Sequence, residues 1–134
     1  MRKYVIAYIA ALVVMLALDF VWLSAVGTLY RETLGDMLLP EASFPYYPPA
    51  IAFYLLYVVG VVYFAVIPAL NEGRVARAVI NGALFGFLAY ATYDLTNYAT
   101  LRNWTLRITL ADMAWGAFLS AVGASAGYIA ARRR

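Results

Sequence analysis

The chain contains no cysteine and no histidine among its 134 residues. Those absences exclude disulfides, thiolate zinc and iron–sulfur centres, histidine-ligated haem and histidine proton shuttles. Charge is scarce too: 13% of the residues are charged and 66% are hydrophobic, too little charge to cover a soluble domain. The net charge of +3 comes from basic residues that flank apolar runs rather than forming one field, so no nucleic-acid partner is indicated. The chemistry that remains is that of carboxylate, hydroxyl, amide, indole and guanidinium groups.

What the chain has in abundance is apolar length. Four runs, near residues 4–26, 49–70, 76–98 and 108–130, are each long enough to cross about 30 Å of hydrocarbon as a helix. They predict an all-α, polytopic membrane protein: one transmembrane domain over residues 1–134, an antiparallel four-helix bundle surrounded by membrane lipids. The first run follows "MRK" and exceeds the roughly 7 to 15 residues of a signal-peptide core, so it reads as a retained helix. Its end is placed near Gly27. Beyond it, Tyr30, Leu34, Met37 and Leu38 can share one side of a short interfacial helix, with Glu32 and Asp36 turned to water. "FPYYPP" at 44–49 supplies a stiff aromatic connection, Pro49 suits the first turn of helix two, and Pro68 marks a kink or an exit. "NEGR" is so short that helices two and three must be antiparallel neighbours.

Basic residues orient the bundle. Arg2, Lys3, Arg74, Arg77, Arg132, Arg133 and Arg134 fall on one side, and Arg31, Arg102 and Arg107 on the other. The positive-inside rule then places both termini in the cytoplasm of a bacterial inner membrane.

Three acids interrupt the apolar runs: Asp19, Asp94 and Asp112. A carboxylate in hydrocarbon costs at least a few kcal/mol, so each needs a partner or a task. With alternating helix directions, all three fall in the outer half of the bilayer. Asp19/Trp22 and Asp112/Trp115 repeat an Asp-x-x-Trp spacing that puts each pair on one helical side; the antiparallel arrangement predicts the two indoles above and below the acid layer. Helix three adds Tyr90, Asp94, Asn97 and Tyr98 above a stripe of Gly86, Gly82 and Ala78. Helix four matches it with Asp112, Gly116, Ser120, Ala124 and Tyr128. Small residues at this interval let membrane helices approach closely, which turns both acids toward the inside of the bundle.

Three neighbouring carboxyl groups resist joint ionisation, favouring shared protons or a bound cation. With Asn97, Thr92, Thr96 and the hydroxyls of Tyr54 and Tyr90 in support, a hard cation held by Asp19, Asp94 and Asp112 is one candidate. A cationic small molecule or lipid head group between acids and the rings of Trp22 and Trp115 is another. Acid/base chemistry on a lipid is a third. Against these stands a structural reading, in which each acid bonds to a neighbouring helix and Asp112 serves the helix start.

With the Asp-x-x-Trp units, "FPYYPP" and "YATYDLTNYATLRNW" in view, nearly the whole chain resembles a family of small bacterial four-helix membrane proteins, domain of unknown function 2177. The resemblance implies the fold and topology. It carries no activity, and it keeps a lipid substrate among the options through the lipid-modifying gene sets with which such families are sometimes associated. The readings are therefore a binder or transporter of a cation, a lipid-modifying enzyme, and a non-catalytic assembly protein. Alternating access with so few helices would call for a homodimer.

Overall fold

The computed structural model describes residues 2–35 and 47–133. Four helices are long and apolar enough to span a membrane. Helix α1 is Arg2–Leu34. Helix α2 is Tyr47–Val61, continued without a break by a π turn, Val62–Val66, and a last α segment, Ile67–Glu72. Helices α3 and α4 are Val75–Thr100 and Leu106–Ala131.

The helices alternate in direction. Tyr8 on α1 donates to the Leu55 carbonyl of α2, Asn81 on α3 reaches Phe64 on α2, and Gly127 on α4 faces Ala7 on α1. Around the bundle, α1 touches α2 and α4, and α3 touches α2 and α4. Size decides what lies inside. Ala7, Ala11, Ala65, Ala78 and Ala124 are fully buried, whereas Phe20 and Leu56 are 74% and 71% exposed. Small side chains inward and large apolar ones outward suit a lipid solvent, where close packing rather than apolar burial joins the helices.

The small-residue stripes meet as the sequence predicts. A Cβ on Gly82 would strike the Ser120 carbonyl and Ala121, and one on Gly86 would overlap the Gly116 carbonyl and the Ser120 side chain. These glycines serve the packing of α3 on α4 within one chain.

The first helix does not stop near Gly27. It runs two more turns, because Gly27 keeps helical geometry, whereas Gly35 takes the left-handed conformation (φ 52°) that ends a helix. The added turns are held by Leu34, buried with Trp104 and Ile108 and flanked by Tyr30. Met37, Leu38, Asp36 and the first three residues of "FPYYPP" lie outside the described residues.

Pro68 leaves its mark upstream. Its missing N–H would have bonded the carbonyl of Phe64, four residues back. The chain widens into the π turn, where the Ile67 N–H reaches Val62, and the freed Phe64 carbonyl accepts the Asn81 side-chain amide at 3.0 Å. At the C-terminal end of α2 the turn is Gly73, left-handed at φ 71°, whose N–H donates to the Ala69 carbonyl.

Candidate functional site

Asp19 sits in the middle of α1 with both oxygens engaged. Tyr54 of α2 donates its hydroxyl to Oδ2 at 2.7 Å, and Trp115 of α4 donates its indole N–H to Oδ1 at 2.9 Å. Three helices thus converge on one carboxyl group. The partner of Asp19 comes from the other Asp-x-x-Trp unit, and Trp22 lies flat on Trp115, centroids 4.6 Å apart and planes 8° from parallel. The expectation that the indoles bracket the acid layer is corrected: they form a single stack beside Asp19, because the relative depth of α1 and α4 brings Trp22 and Trp115 to the same level.

Asp112 is two turns inside α4. The start of that helix is capped by Thr105, whose hydroxyl accepts the Ile108 N–H at 3.1 Å, so Asp112 has no capping duty. Its Oδ1 accepts the Tyr30 hydroxyl at 3.1 Å. Tyr30 stands on the turns of α1 beyond Gly27, and the sequence reading assigned it to a separate interfacial helix. The signal was present as the interval of four through Trp22, Val26, Tyr30 and Leu34, which passes Gly27 unbroken.

Asp94 is wholly buried on α3. Among the described residues neither of its oxygens has a hydrogen-bond donor; what it faces is the carboxyl group of Asp112. Tyr90, one turn below, packs its ring on Gly116 and edge-on to Tyr57 at 6.0 Å, with all three acids within electrostatic reach of its hydroxyl. Tyr57 in turn shares a 2.6 Å hydrogen bond with Ser120. Asn97 neighbours Tyr93.

The supporting threonines turn elsewhere. Thr92 and Thr96 donate to the Leu88 and Thr92 carbonyls of their own helix, a local bond open to any helical threonine. Nor do the acids form one cage: among the described residues, no three acidic side chains are placed to hold a metal ion. Asp19 belongs to a clamp, and Asp94 with Asp112 to a pair.

Next to that pair lies a recess of about 630 Å³ lined by Pro49, Ala50, Phe53 and Tyr57 of α2, Ala89, Tyr90 and Tyr93 of α3, and Asp112 of α4. Its volume is that of a small-molecule site, and its walls are apolar and aromatic with one carboxyl group among them. Sequence reasoning named Tyr90 and Asp112 but missed Phe53, Tyr57 and Tyr93, since nothing in a uniformly apolar helix says which residues face a gap. A second groove, at Tyr4, Tyr8, Val59 and Tyr63, has no carboxyl, lysine or arginine side chain in its described lining.

The chain belongs to the family described as Predicted membrane protein (DUF2177), whose model matches residues 4–129. No curated protein and no solved structure matches it.

Proposed function

We propose that this membrane protein binds an amphiphilic cation, an ammonium-bearing lipid or lipophilic amine, in the recess between α2 and α3. The carrying observation is the position of Asp112, the acid in a lining otherwise made of aromatic rings and small apolar residues. An ammonium group is attracted both by a carboxylate and by the faces of Phe and Tyr rings, and the attraction grows where water is excluded. The apolar tail would lie along Ala50, Phe53 and Ala89, where a free metal ion gains nothing. Both termini are cytoplasmic in this reading, which places the site in the outer leaflet of a bacterial inner membrane.

The test is a titration in lipid nanodiscs with decyltrimethylammonium, followed by tryptophan fluorescence, with decyl maltoside and decyl sulfate as neutral and anionic counterparts. Saturable binding of the cation alone, lost in Asp112→Asn, supports the reading; equal response to all three chains sinks it. Uptake of a labelled cation into sealed vesicles then separates binding from binding followed by transport.

A second reading, lipid modification by acid/base chemistry, is favoured by one feature: Asp94 and Asp112 are facing carboxyl groups, the arrangement in which one serves as acid while its neighbour is charged. It requires that membranes from cells with and without the protein differ in a lipid species, and that Asp94→Asn erase the difference. Matching lipid profiles would end it.

A further inference from the structure

The recess has a definite charge capacity, which follows from counting donors around the pair at its edge. Asp94 is fully buried and, among the described residues, neither of its oxygens has a donor. As a bare carboxylate it would be a lone charge without water, facing a second acid. Asp112 has the Tyr30 hydroxyl at 3.1 Å and borders the recess. A carboxyl proton on Asp94 can be donated to Asp112, giving Asp94 the partner that it lacks and Asp112 its second donor. The reverse arrangement leaves the charge on the acid with fewer donors. Among the described residues, titratable groups that face the pair include Asp19 and Tyr30 on α1 and Tyr90 and Tyr93 on α3, with Tyr57 on α2 beside Tyr90. The tyrosines are neutral phenols near pH 7, and Asp19 is engaged by Tyr54 and Trp115.

We infer that Asp94 and Asp112 together hold one proton, on Asp94, and one negative charge, on Asp112, so that the recess takes a ligand with a single positive charge. The ligand class is a monovalent ammonium amphiphile, and divalent ions are refused. Asp94 is a positioning residue: it holds Asp112 by a hydrogen bond and never meets the ligand as a charge. This rests on the cation reading of the recess and adds which acid carries the charge.

The two acids should therefore respond differently to the same substitution. Asparagine at position 94 keeps a donor to Asp112, so Asp94→Asn should bind decyltrimethylammonium within about threefold of the unaltered protein. Asp112→Asn, which leaves the ligand charge unpaired, should weaken binding on the order of 30-fold or more. Calorimetry of the unaltered protein at pH 7, in two buffers of different ionisation enthalpy, should show no proton released per cation bound, and Ca²⁺ should not displace the probe. One proton released per cation, displacement by Ca²⁺, or an Asp94→Asn loss as large as that of Asp112→Asn would overturn the inference and leave cation binding intact. Absence of saturable binding to the unaltered protein would overturn both. The proton count needs no variant, so a folding defect in either mutant does not remove the test.

Discussion

Trp115 donates its indole N–H to Asp19 across 2.9 Å, although each belongs to a different copy of the Asp-x-x-Trp spacing. With Tyr54 as second donor at 2.7 Å, the carboxyl group ties α1 to both α2 and α4. In a bilayer no water competes for these bonds, yet measured side-chain bonds between membrane helices average only about 0.6 kcal/mol and reach about 1.7 kcal/mol. Tyr54→Phe should accordingly cost about 1 kcal/mol, read from unfolding in mixed micelles, and the same change should cost almost nothing once Asp19 is alanine. Additive losses would mean that the hydroxyl stabilises through some other group.

The α3–α4 contact is tighter than any side chain allows at Gly86, where an added Cβ would overlap the Gly116 carbonyl and the Ser120 side chain. Both obstacles belong to the facing helix, so Gly86→Ala must push the helices apart. A loss of about 1–3 kcal/mol is expected, with rearrangement around the neighbouring Tyr57–Ser120 bond. Gly27→Ala is the matched control. Among the described residues nothing outside its own helix backbone lies within 4 Å of a Cβ there, so the intrinsic helical advantage of alanine should leave stability unchanged or slightly raised. Equal losses at the two positions would mean that the glycines act through backbone flexibility instead of contact.

Topology can be read directly, because the chain has no cysteine of its own. A cysteine at the exposed position Asn71, in the last turn of α2 before the connection to α3, should resist a membrane-impermeant maleimide in intact cells and react after permeabilisation; one at the exposed Asn103, between α3 and α4, should react in both. The reverse pattern would invert the bundle and put the recess in the inner leaflet.

The helices were legible in the sequence because lipid imposes a length, and the packing of α3 on α4 because Gly82, Gly86, Gly116 and Ser120 fall at intervals of four. Partnerships among the polar groups were not. Which donor reaches Asp19 depends on the depth and rotation of three helices, so a repeat within one helix, such as Asp112 with Trp115, misled about what each acid meets. The end of α1 was misplaced for a different reason: glycine stops a helix when it turns left-handed, as Gly35 does, and composition alone does not distinguish it from Gly27. The recess was illegible because it is a gap between α2 and α3, and gaps follow from what neighbours fail to fill.

Asn81 and Pro68 should behave as one unit. Pro68 cannot bond the Phe64 carbonyl, and the Asn81 amide takes that place from the facing helix at 3.0 Å. Removing the amide in Asn81→Leu leaves a backbone acceptor unpaired in an environment without water, at a cost of about 1–3 kcal/mol. Pro68→Ala restores an N–H that can close the regular helical bond to Phe64 and dispense with the π turn at Val62–Val66. The double variant should therefore be more stable than Asn81→Leu alone, recovering most of the loss. Amide hydrogen exchange supplies the local readout: protection at residues 62–67 should fall in Asn81→Leu and return in the pair. If Pro68→Ala worsens the single variant instead, the π turn is set by packing of Gly60 and Phe64 against Phe85, and the proline is a passenger in it.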